Sequence, residues 1–219
     1  MSWYSKVVWS EGLFLRPHHF QQSDRYLENL LESRVRTITP YPWGFSVLEI
    51  DRDLAQQSRI GLRRAVGVMP DGTPFAVPDN APLPPAIEVP ENAAGQIAWL
   101  SLPLASANTR EVEDSLSGSA SRFIPATEML IDSTASLRIE EEIDIAHPRL
   151  ALELRKTAKP GYLGLGIARV LEVRDRNILF DDKFVPPMLL CAGHPTIEGW
   201  LNRVIGWIDT KLDELARYA

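Results

Sequence analysis

Histidine and cysteine are the residues best suited to binding a metal in this chain, which has four histidines and one cysteine. His18 and His19 are adjacent, and neighbouring side chains on a helix point about 100° apart, so the two cannot easily share one ion. Cys191 and His194 have ligand-like spacing, but a zinc site needs two more ligands in a recognisable pattern. We therefore expect no metal and no cofactor, a buried thiol at Cys191, and a capping or surface imidazole at His194.

A run of carboxylates, Glu140 to Glu142 with Asp144, resembles a cation site. Its alternation with apolar residues indicates a strand with one solvated face, spanning residues 137–145. Glu141 alone falls in the apolar row, where an inward-pointing edge charge would discourage strand-to-strand aggregation. The apolar row is Leu137, Ile139, Ile143 and Ile145, and the polar row is Arg138, Glu140, Glu142 and Asp144. We interpret the acids as a strand face rather than a calcium site.

The sequence gives no positive sign of an enzyme. Catalytic triads are assembled in space, so sequence alone leaves one open. No G-x-S-x-G elbow is present, and Ser117-Gly118-Ser119 lies in a polar stretch typical of a loop. We predict a protein that is not an enzyme. The alternative is a hydrolase in which His147 or His194 meets a serine and a carboxylate in a cleft.

Charge and composition exclude further classes. The net charge is −6 with no lysine- or arginine-rich run, whereas nucleic-acid binding depends on basic patches. No apolar run approaches the ~20 residues of a membrane helix, and residues 1–6 lack the features of a secretory signal. We expect a cytoplasmic protein that neither binds nucleic acid nor inserts into a membrane.

Two helices are predicted to flank a β-rich region. In residues 17–38, apolar residues recur at three- and four-residue steps, Pro17 suits a first helical turn, and Pro40 and Pro42 follow the end. Residues 196–219 form a second helix with a wide apolar stripe and no stop signal, which suggests a truncated chain. The stripe comprises Trp200, Leu201, Val204, Ile205, Ile208, Leu212 and Leu215, together with Ile197.

Between the helices, short apolar runs separated by turn signals predict a mainly β protein with a β-sandwich. Strands are expected at residues 3–9, 45–50 and 97–104, and in the alternating segment around Leu150, Leu152 and Leu154. Hairpins are expected at residues 60–77 and 162–180, and a turn at His147-Pro148. Residues 78–90 should form an extended connector, and residues 105–121 a surface loop.

Three stretches of the chain together resemble one known protein family. The first is WSEGLFLRPHHFQQ at residues 9–22, the second combines YPWGF at 41–45, LEID at 48–51 and PDGTPF at 70–75, and the third is FDDKFVPP at 180–187. The chain resembles in these stretches the TssK family of type VI secretion baseplate subunits, whose opening is similar to W-x-E-G-hydrophobic-F-L-x-P-x-H-F-Q-Q. Their order and spacing agree with the family from residue 9 to about residue 215.

The resemblance implies a β-sandwich shoulder domain at residues 1–195, including the N-terminal helix, and the start of a helical neck at 196–219. It further implies a homotrimer whose shoulders dock on the TssF–TssG wedge. A C-terminal head, absent from this sequence, would contact the membrane complex. Residues of the neck expected to pack around the threefold axis or against other neck helices are Trp200, Leu201, Val204, Ile208, Leu212 and Leu215.

The segment of residues 9–20, which leads into the first helix and includes its first residues, is the candidate wedge surface, since aromatic residues and arginine are common interface anchors. Its expected contact residues are Leu13, Phe14, Arg16, His18 and His19. Trp9 and Phe20 are instead expected to seal the helix onto the sandwich. The alternative function is a carbohydrate- or receptor-binding module of phage-like type, which an exposed aromatic platform on a sheet face would favour.

Overall fold

The computed structural model describes residues 4–106, 109–113, 121–134 and 139–217. The chain divides into two compact units, residues 1–42 and residues 43–219. The first unit holds one helix, and the second holds all the described strands and the remaining helices.

The first unit consists of an irregular segment and α1 (Pro17–Ile38). Pro17 occupies the first turn, as the sequence predicts, and α1 covers residues 17–38. The strand predicted at 3–9 is wrong for its described part, because residues 5–10 adopt no regular secondary structure. Instead, the Ser5 carbonyl accepts a hydrogen bond from Gln22 Nε2 at 2.7 Å, so a helix side chain rather than a second strand satisfies this backbone group.

The second unit is mainly β, with named strand pairs that are all antiparallel. One sheet has the order β1-β3-β4, a second has the order β11-β10-β6-β9, and β2-β5 and β7-β8 form two-stranded pairs. The bounds are β1 (Gly44–Ile50), β2 (Arg59–Ile60), β3 (Leu62–Val68), β4 (Pro74–Val77), β5 (Ile87–Glu88), β6 (Ile97–Pro103), β7 (Phe123–Ile131), β8 (Glu140–Pro148), β9 (Ala151–Arg155), β10 (Tyr162–Arg174) and β11 (Asn177–Phe180). A single helical turn, α2 (Arg52–Ala55), follows β1.

One hydrophobic core joins the two larger sheets into the predicted sandwich. The three-stranded sheet contributes Phe45 and Phe75, whose rings meet edge to face with centroids 5.8 Å apart. The four-stranded sheet contributes Leu100 from its central strand β6 and Leu165 from β10, and both are buried. Close packing of side chains from both sheets fixes how the layers stack.

Both predicted hairpins are present. In the β3–β4 hairpin, Met69 N–H donates to the Thr73 carbonyl at 2.8 Å, which closes the Pro-Asp-Gly turn. In the β10–β11 hairpin, Asp175 and Arg176 have φ values of 49° and 63° at the turn. These left-handed conformations match the type I′ geometry that two-residue hairpin loops favour.

The sequence did not predict β7, so the pairing of β7 with β8 (called the ribbon below) is a finding of the structure. His147 and Pro148 belong to the end of β8, so the turn expected there is wrong. Glu140, Glu142 and Asp144 share one ribbon face and Ile143 and Ile145 the other, as the alternation indicates. Leu137 and Arg138, and most of the loop predicted at 105–121, lie outside the described residues.

The first strand of the sandwich pairs with the segment through which the chain leaves it. Phe45 N–H donates to the Pro187 carbonyl, and Leu189 N–H donates to the Phe45 carbonyl, both at 2.8 Å. Gly44 makes this approach possible, because a Cβ there would lie 2.7 Å from the Pro187 oxygen and the residue has a φ of 134°. The two ends of the sandwich are therefore held side by side.

The chain ends in α3 (Pro195–Ala216), preceded by a 3₁₀ turn (Cys191–Gly193). No residue of α3 is buried, and every residue in 198–217 is exposed. This helix therefore does not lie on the sandwich.

Candidate interaction surfaces

A tight turn shapes the segment that leads into α1. Leu13 N–H donates to the Ser10 carbonyl at 3.2 Å, and Gly12, the third residue of the turn, has a φ of 80°. Type II turns require a positive φ at this position, which glycine adopts without steric cost. The turn leaves Leu13 half-buried and projects Phe14, which is 80% exposed.

The N-terminus of α1 is capped by a histidine. Arg16 N–H donates to His19 Nδ1 at 3.1 Å, and His19 N–H donates to the Arg16 carbonyl at 3.0 Å. The His19 ring also lies 6.3 Å from the Trp9 ring between centroids. Reciprocal capping of this kind satisfies backbone donors that the helix itself leaves unpaired. His19 therefore helps to fix the conformation of the segment that leads into α1.

The remaining predicted contact residues are open. Arg16 and His18 are exposed. His18 also borders a groove of about 500 Å³, which is lined by Val7, Val8, His18, His19, Gln21, Gln22 and Arg25. The predicted contact residues Leu13, Phe14, Arg16, His18 and His19 thus lie in one continuous segment. The side chains of Phe14 and Arg16 are both exposed and do not contribute to a buried core. Their contact with a partner stays a prediction.

The expectation that Trp9 and Phe20 are core residues is wrong. Trp9 is 51% exposed and Phe20 is 53% exposed, although large aromatic residues are usually well buried. Leu27, Leu31, Val35 and Ile38 of α1 are also exposed. A contiguous apolar stripe left open to solvent is typical of an interaction surface rather than of a sealed helix.

The predicted metal and thiol chemistry can be compared with the structure directly. Among the described residues, no group of three or more His, Cys, Asp or Glu side chains could hold a metal ion. Cys191 is exposed, so its assignment as a buried thiol is wrong, because the 3₁₀ turn stands outside the core. His194 caps α3 as expected, its Nδ1 accepting from Thr196 N–H at 3.3 Å.

Neither alternative function finds support in the described part of the chain. There, no hydrogen bond joins His147 or His194 to a serine, and the nearest carboxylate to His147 is Glu128, 4.0 Å from its Nε2. The exposed tryptophans among the described residues are Trp9, Trp200 and Trp207, none on a sheet. Trp99, which does lie on a sheet, is half-buried and donates from Nε1 to the Arg155 carbonyl at 3.3 Å.

α3 carries the second candidate surface. Its predicted contact residues are between 44% and 60% exposed and lie at helical spacing along one stripe. They are Trp200, Leu201, Val204, Ile208, Leu212 and Leu215. Their role in packing stays a prediction.

In the described part of the chain, neither α1 nor α3 combines the length and hydropathy needed to cross a membrane.

Sequence reasoning missed the arginines that fix the base of the ribbon. Arg122 is 6% exposed and donates to the Pro103 carbonyl at 2.8 Å, to Asp71 Oδ2 at 2.5 Å and to Thr73 Oγ1. Arg149 donates from Nε to the Ser121 carbonyl at 2.9 Å. A lone arginine gives no sequence signal for burial, because its partners come from distant turns.

Two groups with shifted pKa values lie in the loop between β9 and β10 and in the turn after β11. The hydrogen bond from Lys183 N–H at 2.9 Å, together with the Arg169 guanidinium, lowers the pKa of Asp181 below its usual value. The hydrogen bond to Glu153 Oε1 at 2.9 Å raises the pKa of Lys159 above its usual value. Both are accounted for by local pairing rather than by a site of proton transfer.

Comparison with known proteins agrees with the sequence resemblance. The family model of the bacterial type VI secretion proteins EvfL, ImpJ and VasE matches residues 19–219. The chain is 35% identical over 218 residues to the type VI secretion system baseplate component TssK1 of Pseudomonas aeruginosa strain PAO1, covering 99% of this chain and 49% of that protein.

Solved structures give the same result. A crystal structure of TssK matches with a TM-score of 0.86 and 31% identity, covering 98% of this chain and 49% of that one. A chain of a type VI secretion TssK–TssF–TssG baseplate subcomplex, solved by cryo-electron microscopy, matches in fold with a TM-score of 0.82 at 23% identity, covering 96% of this chain and 71% of that one. The chain spans about half the length of TssK1 and of the crystallised TssK. With its mainly β shoulder fold, this chain belongs to the bacterial type VI secretion family that includes VasE.

Proposed function

We propose that this chain is the wedge-docking portion of a TssK-type adaptor in the cytoplasmic baseplate of a type VI secretion system. The observation that carries the proposal is the 35% identity to TssK1, described as a baseplate component, over 99% of the chain. The partners are TssF and TssG, the proteins that accompany TssK in the subcomplex with the same fold. The role is structural rather than catalytic.

The wedge-docking surface is the segment of Leu13, Phe14, Arg16, His18 and His19. Its open aromatic ring beside an exposed guanidinium has the composition of an interface hot spot. The Ser10–Leu13 turn and the Arg16–His19 cap hold the segment in place before binding. A preorganised surface loses less conformational freedom when it docks, which favours affinity.

α3 begins the neck, and its exposed stripe packs against neck helices of the same trimer. In proteins, most of the stability of a helix comes from tertiary packing of its apolar face rather than from helix propensity. Residues 198–217 are all exposed and find no such packing among the described residues of this chain. Three linked copies would bind the wedge more tightly than one, because each further docking event is intramolecular. The membrane complex is reached through a C-terminal head outside this sequence.

The test is a pull-down of this chain on immobilised TssF–TssG, comparing the wild type with Phe14→Ala/Arg16→Ala. We expect capture of the wild type and at least about tenfold weaker capture of the variant, since hot-spot truncations cost about 2 kcal/mol or more. The matched control is Arg203→Ala/Trp207→Ala, which removes an exposed arginine and an exposed aromatic residue from α3, with Trp207 outside the predicted stripe.

The control variant should be captured as well as the wild type. Equal loss in both variants would mean that the effect is not specific to the Leu13–His19 segment. Failure of the folded wild type to bind would overturn wedge docking altogether. Light scattering on the same samples reports the oligomeric state. If the wild type forms oligomers, Leu201→Asp/Ile208→Asp should shift the measured mass towards that of a single chain.

A further inference from the structure

We propose that a cleft between the ribbon and residues 78–82 binds a lysine or arginine side chain carried by an extended segment of a partner protein. The cleft lies in the second unit, and the proposal does not depend on wedge docking through the Leu13–His19 segment. The cleft has a volume of about 470 Å³, within the range of sites that bind small ligand groups.

The lining of the cleft combines apolar groups with the polar side chains of Asp79, Asn80, Glu128 and His147. The ribbon side presents Ile145, Ala146 and His147 from β8, and the opposite side is formed by Pro78 to Pro82, which follow β4. Such walls suit the methylene stem of a long basic side chain, which prefers apolar contact while its charged head reaches a polar group.

The charged group at the cleft is Glu128. Its side chain is 53% exposed, and its only ion-pair partner within 4.0 Å among the described residues is His147, which is charged only when protonated. Asp79, the other carboxylate of the cleft, is already paired with Arg64 at 2.9 Å. Glu128 therefore has capacity for a cation that the described part of this chain does not supply.

The ribbon as a whole favours a basic partner over an acidic one. Its two strands carry no lysine or arginine, while their acids are Glu128, Glu140, Glu141, Glu142 and Asp144. The face that borders the cleft also presents Leu130 and Ile143, which are 46% and 44% exposed. A segment with a basic residue between apolar residues complements both properties, since side chains alternate along an extended chain.

The cleft is held open by the base of the ribbon. A two-stranded ribbon alone is marginally stable in water, so its position needs other support. Arg122, immediately before β7, ties the ribbon to Asp71 and Pro103, and Arg149, immediately after β8, ties it to the carbonyls of Ser121 and Glu113. These bonds fix one wall, so the site exists before the partner arrives.

The experiment is an NMR titration of the isotope-labelled chain with an acetylated, amidated peptide of sequence Thr-Val-Lys-Val-Thr. Two matched peptides carry norleucine or glutamate in place of lysine. We expect saturable shifts at the Ile145 and His147 amides with the lysine peptide. The norleucine peptide should bind about tenfold more weakly, because it keeps the stem and loses the charge-assisted hydrogen bond.

Variants of the protein locate the charge. Glu128→Gln should weaken binding of the lysine peptide about tenfold. Glu142→Gln makes the same change in charge on the opposite face of the same ribbon, opposite Met129, and should change affinity less than twofold. Equal effects of the two variants, equal binding of the three peptides, or no saturable shift at these amides would each overturn the proposal.

Discussion

The sandwich and the two long helices use their apolar residues in opposite ways. β6 has only seven residues, yet Ala98, Leu100 and Leu102 are fully buried, whereas α1 and α3 have 22 residues each and bury none. The sandwich satisfies its own hydrophobic surface, and the helices leave theirs for other molecules. Stability should therefore depend on the sandwich, and association on the helices.

The largest difference in the free energy of unfolding is expected between substitutions of two arginines, one buried and one exposed. Arg122→Met should lower the free energy of unfolding by about 4 kcal/mol, because removing one partner of a buried charge pair leaves the other partner uncompensated. Arg203→Met, on exposed α3, should change it by less than about 0.5 kcal/mol. Urea unfolding followed by circular dichroism measures both. A loss below about 1 kcal/mol for Arg122→Met would mean that Arg122 behaves as a surface charge.

A second contrast compares leucines. Leu100→Ala should lower the free energy of unfolding by about 3 kcal/mol, through lost burial and the cavity left behind. Leu212→Ala removes the same atoms from a side chain that is 58% exposed in one copy of the chain, so at a dilution where the chain is monomeric it should cost less than about 0.5 kcal/mol. Thermal and urea unfolding of both variants provide the measurement. Similar losses would show that α3 is packed in solution, against another copy or against the sandwich.

The smallest effect concerns pH and one carboxylate of the sandwich. The pKa of Asp181 is lowered in the folded state, so its contribution to stability is present above the unfolded pKa of about 4 and is lost as pH falls through the folded pKa. Asp181→Asn should therefore be less stable than the wild type at neutral pH. The difference in unfolding free energy between the two proteins should shrink as pH falls below about 4. Urea unfolding at a series of pH values measures it. A difference that does not change with pH would indicate that charge plays no part.

Local patterns were enough to predict much of the architecture. The helix at 17–38, the hairpins at 60–77 and 162–180 and the capping role of His194 all depend on residues close together in the chain. The proline and glycine signals at their turns act within four or five residues. For such elements, sequence and structure differ by only a few residues at the boundaries.

The failures involve surroundings that local patterns do not contain. β7 includes Pro125 and Glu128, which weaken a strand signal, and it pairs along its length with β8, which follows later in the chain. Trp9 and Phe20 have the composition of core residues, yet their exposure depends on which surfaces the fold leaves open. Arg122 is buried because it forms hydrogen bonds with residues 71 and 103, which are distant in sequence. The residues next to Arg122 in the sequence do not indicate these contacts.

The pairing of Phe45 with Pro187 and Leu189 has a mechanical consequence. Tension pulling residue 43 away from residue 189 would first load the two Phe45 hydrogen bonds. Because the two segments run parallel, as the Phe45–Met188 bridge shows, both bonds would be strained together in shear rather than opened one after the other. A pulling force would therefore pass across this short bridge and bypass the sandwich, whose layers would stay in place while load travels along the chain.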